Sequence, residues 1–149
     1  MTVGEFCNRE VVVAERDTTI VEAAKLMRQY HVGDLVVVDR SGGMTIPVGI
    51  LTDRDIIVEL VAKEISLDAA CAGDIMSYGL ITAGLHDGIL DTLQKMRTKG
   101  IRRLPVVNDE GALEGILAID DVLELLSEEL ALLAKAAIRG QEQEKKLRP

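Results

Sequence analysis

The sequence contains no tryptophan, one phenylalanine and two tyrosines among 149 residues. So few aromatic rings leave little surface on which the bases of a single-stranded nucleic acid could stack. The formal net charge of -8 would also repel a phosphate backbone. We therefore expect no nucleic-acid partner, and a core built from Val, Ile, Leu, Ala and Met.

Cysteine is scarce as well. Cys7 and Cys71 stand alone without CxxC spacing, which indicates neither a disulfide scaffold nor a zinc site and suits a reducing cytosol. The first residues lack the basic region and apolar stretch of a signal peptide. No apolar run approaches the ~18 residues of a membrane span. We expect a cytoplasmic protein without a membrane partner.

The usual signatures of catalysis and metal binding are missing too. His31 and His86 are single histidines without ligand spacing, so no metal site is expected. The sequence has no Gly-rich phosphate loop of the GxxxxGK type and no recognisable pairing of a nucleophile with a base. We expect that the chain is not an enzyme; a hydrolase or transferase is the disfavoured alternative.

What the sequence does contain is an internal repeat. Residues 19–39 read TIVEAAKLMRQYHVGDLVVVD, and residues 88–108 read GILDTLQKMRTKGIRRLPVVN, aligned at a fixed offset. A second shared block follows in each copy, GILTDRD at 49–55 and GILAIDD at 115–121, with the offset reduced by three. A repeat of this length predicts two copies of one structural unit. Each copy has a marginal size for a separate core, so we expect the two to share one.

Apolar periodicity and turn residues predict the same element order in both copies: strand, helix, strand, strand, helix. The first copy has predicted strands at 11–13, 35–38 and 47–51, a helix that Gly33 ends, and a helix from Thr52. The second has strands at 80–83, 104–107 and 113–117, and helices at 87–99 and from about Asp120. The fold class is a small α/β (α+β) sandwich, packed as one pseudo-symmetric module with a three-stranded sheet in each half.

The last helix is longer than its counterpart in the first copy. Its leucines alternate at spacings of three and four, as in a seam for another helix, at Leu123, Leu126, Leu130 and Leu133. This face either packs on its own domain or forms a self-association surface; the pattern supports both. We divide the chain into a first unit at 5–64, a second unit at 73–128 and a helical extension at 129–149.

Thr52 and Asp55 lie where a strand ends and a helix begins. One interpretation is a capping box, in which the two side chains accept from backbone N–H groups, although Glu or Gln is more usual than Asp at the position of Asp55. The other is a ligand site, where the Thr52 hydroxyl and helix N-terminus meet a phosphate and the Asp55 carboxylate accepts from ribose hydroxyls. Gly49 would let a ligand or backbone approach closely.

The second copy favours the ligand interpretation. Asp121 occupies the position of Asp55, but Ala118 replaces the hydroxyl residue, and Asp120 could cap the helix instead. A carboxylate that persists when the capping residue changes is unusual for capping alone. Two related ribose-binding sites would explain it.

The repeated pattern, with GILTDRD in one copy and RRLPVV followed by GILAIDD in the other, resembles a pair of cystathionine-β-synthase-type (CBS) domains, the Bateman module. The resemblance covers Glu5 to about Leu126. The family's ligand motif is Gly, apolar, any, Ser or Thr, any, any, Asp. Residues 49–55 match it fully, and residues 115–121 lack the hydroxyl at Ala118.

The resemblance implies an adenosine-containing ligand in the cleft between the copies. The motif Asp would hold its ribose, and its base would rest beside the first strand of the unit, at Val12 or Ile81. Arg103 stands where a phosphate-contacting arginine often occurs, and Arg54 and Arg102 are further candidates; the alternative for each is a solvated surface charge. Asp34 holds the position of Arg103 in the first copy and would repel a phosphate, so the two sites should differ.

The resulting functional expectation is a stand-alone regulatory module that senses AMP, ADP, ATP or S-adenosylmethionine, without a required cofactor. It would signal through self-association or through an effector protein, and the resemblance implies a homodimer that associates through helix faces. We expect the Asp55 site to bind a nucleoside or monophosphate more strongly, and Arg103 to draw a polyphosphate to the Asp121 site. The alternative is a constitutive structural or interaction module with empty clefts.

Overall fold

The computed structural model describes residues 1–148 and contains two three-stranded sheets. The first repeat comprises helix α1 (Val3–Phe6), strand β1 (Val13–Glu15), helix α2 (Ile20–Tyr30), strands β2 (Asp34–Ser41) and β3 (Met44–Thr52), and helix α3 (Asp53–Ile56), which continues as a π-helical turn (Ile57–Val61). A 3-10 turn follows at Leu67–Ala69. The second repeat comprises α4 (Ala72–Ile75), β4 (Ala83–Gly84), α5 (Ile89–Lys99), β5 (Arg103–Val107), β6 (Leu113–Ala118) and α6 (Ile119–Leu147).

The predicted α/β architecture and the repeated order of strand, helix, strand, strand, helix are confirmed. In each sheet the first strand pairs in parallel with the second, and the second pairs antiparallel with the third. Both second strands carry a register shift, between Val37 and Val38 and between Val106 and Val107. Both first strands begin later than predicted, because pairing begins only at Val13 and at Ala83, and β4 is also shorter than predicted.

Local signals explain the two long internal helices. Thr19 caps α2, with its hydroxyl accepting from the Glu22 backbone N–H at 3.1 Å and the Glu22 carboxylate closing the capping box. Helix α2 ends at His31, which adopts a left-handed conformation with φ 54°, and not at Gly33 as predicted. Gly100 ends α5 as predicted, with φ 66°, a conformation in which glycine meets no steric penalty.

Each repeat is packed by the short helix that precedes the other repeat, so the two segments are exchanged. Helix α1 packs on the second repeat, where the Gly4 backbone N–H donates to the Leu85 carbonyl at 2.9 Å and Val3 joins the core. Helix α4 packs on the first repeat, where the Ala72 backbone N–H donates to the Thr18 carbonyl at 2.9 Å. The expectation of one shared core is thus corrected: each repeat has its own core, and each core is completed by residues from outside its own repeat, which ties the two repeats into one module.

The structure corrects two sequence-based interpretations of α6. Val122 is buried, but the four seam leucines are 47 to 68% exposed: Leu123, Leu126, Leu130 and Leu133. The seam therefore does not pack on its own domain. Asp120 does not cap the helix either, since the N-cap residue is Ala118 and no side chain bonds to the cap. The carboxylate of Asp120 instead accepts from Arg102 at 3.0 Å.

Candidate functional site

Two clefts lie where the repeats meet, and we name them after one residue of each. The Val12 cleft has a volume of about 250 Å³. Its walls come from both repeats and include Val12, Val32, Asp34, Arg103, Ile116 and Asp121. The Thr52 cleft is larger, at about 600 Å³. Its walls include Asp34, Ile50, Thr52, Arg54, Ile101 and Arg103.

The clefts are related by the internal repeat. Residues of the Val12 cleft and their repeat equivalents in the Thr52 cleft form the pairs Asn8 and Ser77, Val32 and Ile101, Ile116 and Ile50, and Ala118 and Thr52. Each cleft thus combines the region after the helix of one repeat with the motif of the other. This composite construction means that a ligand in either cleft would contact both repeats.

The motif glycines, Gly49 and Gly115, let the backbone of the exchanged segments approach closely. A Cβ at Gly115 would lie 2.7 Å from the Asn8 carbonyl oxygen, and one at Gly49 would lie 3.0 Å from the Ser77 carbonyl oxygen. Asn8 and Ile116 exchange two backbone hydrogen bonds of 2.9 Å beside Gly115. Backbone approach therefore accounts for both glycines, which sequence reasoning had left open between a backbone and a ligand.

Asp34 and Arg103 meet in the wall that the two clefts share. They occupy equivalent positions in the two copies, and the Arg103 guanidinium donates to the Asp34 carboxylate. The Asp34 side chain is 12% exposed and that of Arg103 is 41% exposed. Arg103 also lies 3.9 Å from Asp120. The prediction that Asp34 acts on one site and Arg103 on the other is thus corrected, because the two charges form one pair that faces both clefts.

The two motif carboxylates have different surroundings. Asp55 is partly buried; its Oδ2 accepts from the Thr52 backbone N–H at 2.9 Å, while its own N–H donates to the Thr52 hydroxyl at 3.0 Å. This is the complete capping box. Asp121 is exposed, lines the Val12 cleft and accepts no hydrogen bond from any group in residues 1–148. The structure therefore brings Val12 together with Asp121, from opposite repeats.

The other predicted site residues separate into two groups. Thr52, Arg54 and Arg103 line the Thr52 cleft. Ile81 packs against the core of the second repeat, and neither it nor Asp55 lines the Thr52 cleft. The Asp55 carboxylate belongs to the helix cap, so its removal would also remove a hydrogen bond to the Thr52 backbone N–H.

Sequence reasoning missed the N-terminal wall of the Val12 cleft, formed by Asn8, Glu10 and Val11. The sequence gives little indication of this wall. The Asn8 side chain accepts from the Glu10 backbone N–H at 2.9 Å, and an Asn in this role is an ordinary feature of turns. The segment reaches the cleft because Asn8 pairs with Ile116 in the other repeat. Such a long-range pairing leaves no pattern in the local sequence.

One carboxyl group has a clearly shifted pKa, and it lies away from both clefts. Hydrogen bonds from Arg16, at 2.9 and 3.1 Å, hold the pKa of Asp39 below its ordinary value. Within residues 1–148, no cluster of three His, Cys, Asp or Glu side chains could hold a metal ion. Across the same residues, every helix is too short or too polar to cross a bilayer.

The CBS domain family model matches residues 3–62 and 72–128. An uncharacterized protein of Methanopyrus kandleri is 36% identical over 125 residues, which are 84% of this chain and 62% of that protein. The mitochondrial CBS domain-containing protein CBSX3 of Arabidopsis thaliana is 35% identical over 76% of this chain and 55% of its own length. The chain thus spans less than two thirds of either relative. The CBS domain-containing protein YhcV of Bacillus subtilis is 33% identical, over 81% of this chain and 82% of YhcV.

Solved structures share the architecture. The CBS domain pair of protein MJ0100, in complex with 5′-methylthioadenosine and S-adenosyl-L-methionine, superposes with a TM-score of 0.74 at 26% identity, over 87% of this chain and 98% of that one. A hexameric CBS-CP12 protein from bloom-forming cyanobacteria gives a TM-score of 0.71 at 25% identity, over 83% of this chain and 69% of that one.

Enzymes also carry such domains: the inosine-5′-monophosphate dehydrogenase of Methanocaldococcus jannaschii is 30% identical over 120 residues, 22% of its length. These 120 residues are 80% of the present chain, so the similarity is confined to a minor part of the enzyme. The family model covers both repeats, and the architecture matches that of a solved CBS domain pair. The chain therefore belongs to the CBS domain family and folds as a CBS domain pair.

Proposed function

We propose that the chain is a regulatory module that binds an adenosine-containing ligand in the clefts between its two CBS domains. The observation that carries this proposal is the presence of Val12 and Asp121, from different repeats, in one cleft. The MJ0100 domain pair, which has the same architecture, holds 5′-methylthioadenosine and S-adenosyl-L-methionine. Binding a nucleoside is therefore compatible with this fold.

The Val12 cleft has the groups that a nucleoside needs. Val12, Val32 and Ile116 offer an apolar wall for the base. The Asp121 carboxylate, free of hydrogen bonds within residues 1–148, can accept from the two neighbouring ribose hydroxyls. The cleft volume of about 250 Å³ lies just below the roughly 300–1,000 Å³ of typical small-molecule pockets, so a bound nucleoside would stay partly exposed.

The Thr52 cleft is the second candidate site. It offers the Arg54, Arg102 and Arg103 guanidinium groups, which could contact a phosphate. The Thr52 hydroxyl accepts from the Asp55 backbone N–H, and its own O–H can still donate to a phosphate. Ribose binding by Asp55, and base contact by Ile81, stay predictions, and both require those side chains to become accessible to the ligand.

A route for the signal leads from the Val12 cleft into α6. Ala118 and Asp121 line the cleft at the start of this helix, which then runs to Leu147. A ligand that contacts Asp121 and Val12 favours the arrangement of the repeats in which both are in reach. Such a ligand would bias the position of α6 and of its exposed leucines.

We further propose that these leucines hold a homodimer. Leu123, Leu126, Leu130 and Leu133 have coiled-coil spacing and are 60, 47, 67 and 68% exposed. Burial of an apolar side chain contributes ~1.5–3 kcal/mol, so several leucines from each copy could sustain association. The hexameric cyanobacterial CBS-CP12 protein supports the idea that CBS modules assemble. A separate effector protein is the other possible receiver of the signal.

Calorimetric titration with adenosine, AMP, ADP, ATP and S-adenosylmethionine tests the proposal. Saturable binding of at least one compound is expected, with one or two sites per chain. Absence of heat and of any spectroscopic change with every compound at millimolar concentration would favour the alternative, a ligand-free interaction module. Parallel assays for nucleotide turnover test the non-enzymatic part: product formation that depends on the protein would contradict it.

A further inference from the structure

The two clefts differ in charge although they share a wall. Both contain the Asp34–Arg103 ion pair, in which the charges compensate each other. The remaining ionisable groups of the Val12 cleft, apart from His31, are Glu10 and Asp121. Those of the Thr52 cleft are Asp53, Arg54, Arg102 and Asp120, two of each sign. The Val12 cleft is therefore negative, and the Thr52 cleft is balanced.

The ion pairs and hydrogen bonds within each cleft increase this difference in charge. In the Thr52 cleft, Arg102 donates to Asp120 at 3.0 Å, and the Asp53 carboxylate accepts from the Arg54 backbone N–H at 2.8 Å. The Arg54 guanidinium has no carboxylate partner among residues 1–148, so it is available to an incoming phosphate. In the Val12 cleft, neither Glu10 nor Asp121 has a basic partner in that part of the chain.

The N-terminus of α6, which opens at Ala118 onto the Val12 cleft, contributes the opposite sign. A helix N-terminus is equivalent to about half a positive charge. Asp120 and Asp121 both lie in the first turn and already offset it. With Glu10 added, the field in the Val12 cleft stays unfavourable to a phosphate.

We propose that the clefts sort adenosine compounds by charge. The Val12 cleft takes those without a phosphate, either neutral or cationic, and the Thr52 cleft takes those that carry one. This inference rests on the proposed function, since it names the ligand class of each cleft. It reverses the sequence-based expectation that Arg103 would draw polyphosphates to the Asp121 site, because Asp34 neutralises Arg103.

Methyl-resolved NMR titrations of the full chain distinguish the clefts. Val12 and Ile116 report on one cleft, and Ile50 and Ile101 on the other. Adenosine should shift the Val12-cleft methyls at the lower concentration, and AMP the Thr52-cleft methyls. AMP that shifts the Val12-cleft methyls with the same affinity as adenosine overturns the charge sorting and leaves the proposed function standing. Absence of shifts in both clefts with both compounds overturns the charge sorting, and the proposed function falls with it only if ADP, ATP and S-adenosylmethionine also fail to bind in the calorimetric titration.

Charge variants sharpen the test. Glu10→Gln should raise the affinity of the Val12 cleft for AMP by roughly three- to tenfold relative to its affinity for adenosine, because only AMP carries a phosphate charge that Glu10 repels. Arg54→Gln should lower AMP affinity in the Thr52 cleft by a similar factor. Glu142→Gln, near the end of α6, makes the same charge change outside both clefts and serves as the control. Equal effects of Glu10→Gln and Glu142→Gln on AMP binding would refute the assignment.

Discussion

Replacement of Asp55 by alanine should destabilise the protein, whereas the equivalent replacement of Asp121 should not. Asp55 is partly buried and accepts from the Thr52 backbone N–H at 2.9 Å. Removing this bond leaves a backbone donor unsatisfied and should cost about 1 kcal/mol, within the ~0.5–2 range of capping losses. Asp121 is exposed and makes no such bond within residues 1–148, so its loss should stay within about 0.5 kcal/mol.

The comparison isolates the hydrogen bond. Both aspartates lie in the first turn of a helix and lose the same favourable interaction with the helix N-terminus on mutation. Asp55→Asn is a further control, because its amide oxygen can still accept from Thr52 and should preserve part of the stability. The difference between the two alanine variants therefore measures the cap.

Urea unfolding followed by far-UV circular dichroism suits this chain, which lacks tryptophan fluorescence. All variants should be compared at one protein concentration, since dimerisation would add to the apparent stability. A loss of about 1 kcal/mol corresponds to a fall in Tm of about 2–4 °C for a chain of this size. Equal stability of Asp55→Ala and Asp121→Ala would show that the capping box is not formed in solution.

Three further outcomes follow from the structure. Gly115→Val should lower stability by about 1–3 kcal/mol in urea unfolding, because a Cβ would meet the Asn8 carbonyl at 2.7 Å, whereas Gly140→Ala, with open space around it, should cost nothing. Leu130→Glu should shift the mass measured by light scattering from dimer to monomer; a wild-type monomer at micromolar concentration would contradict the dimer proposal. In an NMR pH titration, Arg16→Gln should raise the depressed pKa of Asp39 to its ordinary value. The contribution of the Arg16–Asp39 pair to stability is present above the pKa of Asp39 in the unfolded chain, and it is lost as pH falls through the pKa of Asp39 in the folded protein. An unchanged Asp39 pKa in Arg16→Gln would contradict the contact.

The repeat and its element order could be predicted because they depend on local periodicity. Apolar spacing places Met27 and Met96 in the cores, where they are 8 and 0% exposed. The order of strands and helices follows from turn residues, continuous apolar runs and helical periodicity. The CBS resemblance then added the pairing of the two units.

The exchange of α1 and α4 could not be predicted, because it depends on contacts between residues far apart in sequence. The same is true of Asp34 and Arg103: the alignment makes them equivalent, but only the assembled module brings them together. Asp55 and Asp121 are equivalent in sequence as well. They diverge because Thr52 completes a capping box with Asp55 and Ala118 has no hydroxyl to do so.

The binding of a nucleoside between Val12 and Asp121 can be tested directly by intermolecular nuclear Overhauser contacts in the adenosine-saturated protein. Contacts between the adenine protons and the methyl groups of Val12 and Ile116 are expected, and they should weaken or disappear in Asp121→Ala at the same ligand concentration. Loss of a hydrogen bond to a charged group should weaken binding by about 1.5–3 kcal/mol. Contacts only to methyl groups outside this cleft, or undiminished contacts in Asp121→Ala, would contradict the proposed site.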